Sequence, residues 1–202
     1  MNLTNVNYTP KELNQIIILN VLRMLEKRNL LTDISSKYEE IKDNILSNKT
    51  IKVKLDNGNQ SLIYIINGKV TSVTQNSPID EFLSSNTNLL KFVIIKDPSK
   101  KTFKQITNDY PNSEMFFQRE FLENIPDKDI VPKHTLLNSE QKEELLQNIK
   151  LKNLKKIFTT DMMSRYFNAK IGDIFRIERL NITSGKAVDY RVVVQGKTDI
   201  LF

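Results

Sequence analysis

The apolar run Phe92-Val93-Ile94-Ile95 constrains the fold of this chain more than any other feature of its sequence. Four consecutive apolar residues in an extended strand place side chains on both faces of a sheet, so both faces must be covered. The flanking sequence supplies the cover. Thr9-Pro10-Lys11-Glu12 is a helix start, with Thr as cap, Pro at the first helical position and Glu placed to close a capping box. The helix that follows carries Leu13, Ile17, Val21 and Met24 on one stripe and Ile18, Leu22 and Leu25 beside it, a face wide enough to require deep packing. A more polar helix is expected over Asp33–Leu46. Ser77-Pro78-Ile79-Asp80 caps a helix to about Ser85, and Pro98-Ser99-Lys100-Lys101 opens another to about Asn108.

Between these helices the period falls to two. Ile51, Val53 and Leu55 alternate with Lys52 and Lys54, Asp56–Asn59 supplies a turn, and Leu62–Ile66 makes the return strand. Asn67-Gly68 is a second hairpin signal, leading to Val70–Val73. Strands and helices alternating at this length predict a mixed sheet flanked by helices. At Pro126-Asp127-Lys128-Asp129 the chain turns polar, which places a domain boundary there and divides it into residues 1–125 and 126–202. Beyond it, Asn138 and Ser139 cap a helix carrying Leu145, Leu146 and Ile149, and Lys150–Lys156 reads as basic and irregular. Asp161 caps a short helix, Met162 to Asn168, ended by Gly172. Strands Asp173–Leu180 and Ala187–Val194, joined by the polar turn Asn181–Lys186, close an α/β module. The fold class is thus α/β and α+β in two domains.

Composition removes most chemistry. The 202 residues include no Cys and one His, which excludes disulfide scaffolds, thiolate zinc sites, iron–sulfur clusters, cysteine nucleophiles and any site needing two imidazoles. Five isolated glycines cannot build a P-loop or a dinucleotide fingerprint. His134, after Val131-Pro132-Lys133, is expected in a loop as a hydrogen-bonded structural residue. Asp127 and Asp129 flank Lys128 and read as a solvated turn. A nuclease would need carboxylates on the central strands, but the position two before Lys96 is Ile94, and Leu62–Lys69 has no acid. No catalytic residue, metal, cofactor or small-molecule substrate is expected. The longest apolar run near the start, Ile16–Leu19, is far short of the roughly 20 residues of a membrane span, and no signal peptide is present, so the expected setting is intracellular with no membrane partner.

The formal charge of +6 resolves into two lysine clusters on a nearly balanced chain. Lys91, Lys96, Lys100, Lys101 and Lys104 lie within fourteen residues that hold one acid, Asp97; Lys150, Lys152, Lys155 and Lys156 lie within seven that hold none. The first cluster brackets a helix start, where unpaired backbone N–H groups and the helix dipole favour phosphate. By spacing alone such runs read first as plain solvated surface.

The C-terminal third resembles a known family. Ile130-Val131-Pro132-Lys133-His134, Glu143-Glu144-Leu145-Leu146, Asp161 with Arg165-Tyr166-Phe167, Lys170-Ile171-Gly172-Asp173, Arg176-Ile177-Glu178-Arg179, Thr183-Ser184-Gly185 and Tyr190-Arg191-Val192 occur in the order and spacing of the fifth subunit of eukaryotic RNA polymerases, whose archaeal counterpart consists of the C-terminal module alone. The likeness runs from about Phe116 to Val194. A looser one covers Glu26-Lys27-Arg28-Asn29-Leu30 and the strand Phe92–Ile95 leading into Pro98-Ser99. There are departures: Leu154-Lys155-Lys156-Ile157 replaces Leu-Pro-Arg-Ile, Met162 replaces a proline after Asp161, Asn168 a glycine and Leu180 a proline. A divergent version from a large DNA virus fits them, as do the A/T-rich codons of Lys, Ile and Asn.

The resemblance implies assembly rather than catalysis. It implies an N-terminal jaw domain of nuclease-like fold without nuclease residues, lying beside downstream duplex DNA, and a C-terminal module that docks on the largest polymerase subunit. On that basis Lys96, Asp97, Pro98, Ser99, Lys100, Lys101 and Lys104 are the expected DNA-backbone contacts. His134, Arg165, Tyr166, Arg176, Arg179, Tyr190 and Arg191 are the expected docking residues. The expected location is the nucleus for a cellular protein, or the virion and cytoplasmic virus factory for a viral one. A free-standing duplex-DNA-binding transcription regulator using the same lysines is the alternative, and a divergent nuclease a more distant one.

Overall fold

The computed structural model describes residues 8–47, 50–181, 185–197 and 201. The chain forms two compact units, Met1–Glu123 and Asn124–Phe202. In the first, α1 (Pro10–Lys27) and α2 (Ile34–Ser47) precede β1 (Thr50–Lys54) and β2 (Gln60–Val70). Then come α3 (Pro78–Ser84), β3 (Leu90–Pro98), α4 (Lys100–Asp109) and β4 (Ser113–Phe117). The sheet order is β1-β2-β3-β4, with β1 antiparallel to β2 and the other pairs parallel.

Strand β3 sits second from one edge and Phe92, Val93, Ile94 and Ile95 are all fully buried. Phe92 packs on the α1 side, 6.4 Å from the Phe116 ring and beneath the Arg28 guanidinium at 5.6 Å. Val93, aligned with Tyr64 of β2, belongs to the opposite face, where Tyr64 stacks on Phe82 of α3 at 5.1 Å. The helix starts lie where the sequence puts them. The Thr9 hydroxyl accepts from the Glu12 amide while the Glu12 carboxylate accepts from the Thr9 amide, and Ser77 and Ser99 cap α3 and α4. At the far end of α1, Arg28 makes a two-pronged pair with Glu114 of β4, both contacts 2.8 Å, with side chains 5% and 19% exposed.

The second unit contains β5 (Lys133–Leu136), α5 (Ser139–Asn148), β6 (Lys155–Phe158), α6 (Met162–Tyr166), β7 (Ile174–Asn181) and β8 (Gly185–Val194). Its sheet order is β5-β7-β8-β6, with β6 and β8 parallel and the others antiparallel. Alternation along the strands gives two cores. On one face Phe175, Ile177, Val193 and Ile157 pack with Ala169 and Phe167; on the other Ile174 and Val192 pack with Leu154, Leu145 and Leu146.

Four local expectations are corrected. Asn67-Gly68 turns no hairpin, and Val70–Val73 is not a strand. Instead β2 runs on to Val70 through a register shift after Ile66, because parallel pairing of Lys69 with Asp97 and Val70 with Pro98 captures the chain. The Asn67 side chain finds tertiary partners in Gln118 (2.6 Å) and Asn14 (3.3 Å). Lys150–Lys156 is not irregular: a single turn at Leu151–Asn153 leads into β6, whose parallel pairing with β8 is invisible in a lysine-rich run. His134 lies in β5, not a loop. The helix after Asp161 stops at Tyr166 because Asn168 adopts the left-handed conformation (φ 51°) and Ala169 donates back to the Ser164 carbonyl. In the turn expected between the last two strands, residues 182–184, including Thr183 and Ser184 of the family-like triplet, lie outside the described residues. Among the described residues no helix is long and apolar enough to cross a membrane.

Two outcomes follow. Glu114→Ala removes the two-pronged partner of a buried guanidinium and should cost about 3–5 kcal/mol in urea unfolding, whereas the joint replacement Arg28→Met with Glu114→Leu should cost clearly less. Asn168→Gly should leave the thermal midpoint unchanged or raise it, while Asn168→Ile, β-branched at positive φ, should lower stability by roughly 1–2 kcal/mol.

Candidate nucleic-acid and docking surfaces

In the first unit, β2, β3 and β4 run parallel, so their carboxyl ends share one edge of the sheet, the end where open α/β sheets present ligand-binding loops. The path from Lys96 into α4 is stitched to that edge. The Ser99 amide and the Thr102 hydroxyl both donate to the Val70 carbonyl, at 2.8 and 2.9 Å. The Ser99 hydroxyl donates to the Thr71 carbonyl at 2.6 Å and accepts from the Thr102 amide at 3.1 Å. Gln105 clamps Val73 through both its amide and its carbonyl. The start of α4 is therefore held by hydrogen bonds to the end of β2.

Of the expected DNA contacts, Lys96, Asp97, Lys100, Lys101 and Lys104 are exposed, Ser99 is half-buried as the cap, and Pro98 is buried. Lys100, Lys101 and Lys104 line one shallow concavity along α4 with Gln105, Asn108 and Asp109, while Phe103 and Ile106 turn inward. Lys91 leaves the cluster. It is fully buried on β3, and its ammonium donates to the Leu83 carbonyl at the end of α3. Desolvation holds its pKa below the usual lysine value. Position along the strand explains the loss: Lys91 enters β3 beneath the end of α3, whereas Lys96 lies past the covered stretch, at the carboxyl edge of the sheet. The sheet also brings in two cations that spacing could not find. Lys69 pairs in register with Asp97, and Arg119, just past β4, stacks over Phe117 at 4.4 Å. Only the parallel run of β2, β3 and β4 carries positions 69, 97 and 119 to the same edge of the sheet.

In the second unit the expected docking residues divide between two faces of the sheet. His134 aligns with Ile177, and Arg179 and Arg191 belong to that same face; Arg176 and Tyr190 align with each other on the opposite face. Lys155 aligns with Arg191, and Asp189 draws both cations in, at 3.1 Å from the lysine and 3.6 Å from the Arg191 Nε. Arg176 pairs with Glu178 two residues along its own strand. Tyr190 packs beside Ile174 and Val192. Arg165 is half-buried on α6. Tyr166, 1% exposed, supports the surface from beneath, its hydroxyl donating to Asn124.

His134 is fixed by two contacts. Its Nδ1–H donates to the Pro132 carbonyl at 2.6 Å, which leaves Nε2 as an acceptor, and its ring meets Phe175 edge-on at 5.8 Å. Burial lowers its pKa below the usual 6.5. The Arg191 and Arg179 charges push the same way, against the Pro132 hydrogen bond and the Asp161 charge. Among the described residues no three His, Asp or Glu side chains converge to hold a metal ion.

Comparison with known proteins finds similarity along both units. The family model for the RNA polymerase Rpb5 C-terminal domain matches residues 123–193. The DNA-directed RNA polymerase subunit 5 of Acanthamoeba polyphaga mimivirus is 31% identical over 194 residues, covering 89% of this chain and 91% of the relative. The RPABC1 subunit of RNA polymerases I, II and III from Caenorhabditis elegans is 37% identical over 83 residues, 40% of this chain and 39% of its own length. The RNA polymerase subunit Rpo5 of Methanosphaera stadtmanae is 41% identical over 66 residues, 32% of this chain and 86% of the archaeal one.

The lowered His134 pKa means that the unfolded chain binds more protons as the pH drops below 6.5. The stability this group contributes is complete above 6.5 and is lost as the pH falls through its folded-state value. The urea midpoint of the wild type should therefore fall between pH 7 and pH 5 more steeply than that of His134→Gln. Parallel pH profiles for the two chains would remove this role from His134.

Proposed function

This chain belongs to the RNA polymerase subunit 5 family, and from that premise we propose that it is a non-catalytic subunit of a multisubunit DNA-directed RNA polymerase. The observation that carries the reading is the likeness to the mimivirus subunit, which extends through both units rather than through the C-terminal one alone. As a working division, residues 1–125 are the jaw and residues 126–202 the assembly module. The jaw has a nuclease-like arrangement, a mixed sheet with helices on both faces. Its Glu114 is engaged by Arg28 rather than set at the carboxyl edge of the strands.

In the working enzyme the edge carrying Lys96, the α4 lysines, Lys69 and Arg119 faces downstream duplex DNA. Ammonium groups there neutralise backbone phosphates and release counterions, a force that ignores sequence and fades with salt. That suits a jaw, which has to hold any duplex passing through it without gripping one site. The assembly module docks on the largest subunit through the surface of the second unit that carries His134, Arg165, Arg179 and Arg191. The enzyme's location follows that of its partners: nucleus in a cell, virion or cytoplasmic virus factory for a virus like that of the relative.

Native co-purification with mass spectrometry tests the assembly. Large polymerase subunits should accompany the chain, and their absence, together with tight DNA binding by the chain alone, would favour a free-standing regulator. For the DNA edge, Lys100→Glu with Lys101→Glu should lower the slope of log affinity against log salt by roughly two in assembled elongation complexes. An unchanged salt dependence would sink the contact.

A further inference from the structure

The second unit presents a groove of about 680 Å³ that borders the docking surface described above and shares only Arg179 with it. One wall is the segment 129–133; the other is Glu178, Arg179 and Lys186 from the facing ends of β7 and β8. At its mouth stands Ile130, 88% exposed. The Val131 amide donates to the Lys128 carbonyl at 2.9 Å, and Pro132 stiffens the next step, so a hydrogen-bonded turn presents the isoleucine outward. Val188, 44% exposed, aligns with Glu178 on the adjoining strand and extends the apolar surface.

The charges around this apolar tip are unequal. Lys133, Arg179 and Lys186 are exposed and make no ion pair among the described residues. Of the two carboxylates in the wall, Glu178 is already paired with Arg176, which leaves Asp129 alone against three cations. We propose that this groove is the seat of a short acidic segment of a partner polypeptide, one apolar side chain of which packs on Ile130 while its carboxylates meet Lys133, Arg179 and Lys186. This rests on the reading of the second unit as an assembly module and gives its partner a chemistry. A nucleic acid fits the groove less well. A phosphate backbone offers nothing to an exposed isoleucine, whereas a peptide with an apolar side chain among its carboxylates satisfies the apolar and the cationic parts together.

The test uses the full chain assembled in its polymerase, with the photo-crosslinking residue p-benzoylphenylalanine at position 130. Ultraviolet irradiation followed by mass spectrometry should yield one crosslinked peptide, containing an apolar residue flanked by Asp or Glu. In parallel, Ile130→Asp and the pair Lys133→Glu with Lys186→Glu should each reduce retention of the chain in the complex at about 0.3 M NaCl by at least roughly tenfold, the scale expected for one buried aliphatic side chain. Because these side chains are exposed, the thermal midpoints of the free variants should match the wild type. If the wild type assembles and both variants are retained equally well, the groove assignment is wrong and the assembly reading stands. A crosslink to DNA, or to a peptide without carboxylates, also overturns the groove assignment. If the wild type itself fails to enter the complex, the assembly reading falls and the groove assignment with it.

Discussion

The double-sided burial of β3 is the constraint on which the first unit depends. A strand whose four central residues are all fully enclosed needs neighbours on both edges and helices on both faces. β2 and β4 supply the first, α1 the cover on the Phe92 side, and α3 the cover on the Val93 side. Parallel pairing then has a geometric consequence, because strands running the same way end at the same edge. That edge gathers Lys69, the Lys96–Pro98 exit, the capped start of α4 and Arg119 from distant parts of the sequence. The polar stitching of Ser99 and Thr102 to Val70 and Thr71 holds the α4 lysines on a rigid element rather than on a free loop.

The second unit works by a different division. Apolar residues pack on both faces of its sheet, against α5 on one side and the end of α6 on the other, and charged residues are interleaved with them along the strands. Alternation sorts them: Arg179, His134, Arg191 and Lys155 to one face, Arg176, Glu178 and Lys133 to the other. Conspicuous arginines and tyrosines taken in sequence order mix the two faces, and they include Tyr166, which is core. What distinguishes accessible cations from structural ones is their position on the pleat, together with which carboxylate stands beside them.

Asparagine takes a backbone task in this chain that glycine performs elsewhere. With 22 Asn and 5 Gly, every described non-glycine residue at positive φ is an asparagine: Asn29, Asn76, Asn86, Asn112 and Asn168. Its short polar side chain tolerates the left-handed region better than any other side chain with a Cβ. So the loss of a family-like glycine at Asn168 leaves the turn after α6 in place, and a composition shaped by A/T-rich codons still folds.

Helix starts, the period-two strands and the wide face of α1 were legible in the sequence, because capping and periodicity are local physics set within a turn or two of chain. The family likeness was legible too, since its motifs survive as short ordered runs. Turn chemistry at Asn67-Gly68 misled, because cross-strand pairing with β3 outweighs a local preference for bending. Lys91 and Lys96 are five residues apart and look alike in a lysine run; tertiary structure buries one and exposes the other. Similarly, nothing in the order of residues brings Ile130 beside Arg179 and Lys186, or Lys69 beside Asp97. The sequence by itself determined which segments become helices or strands and which family the chain resembles. Only the tertiary structure decided which charges share a surface, because strand register and direction are set by pairing between segments far apart in the chain.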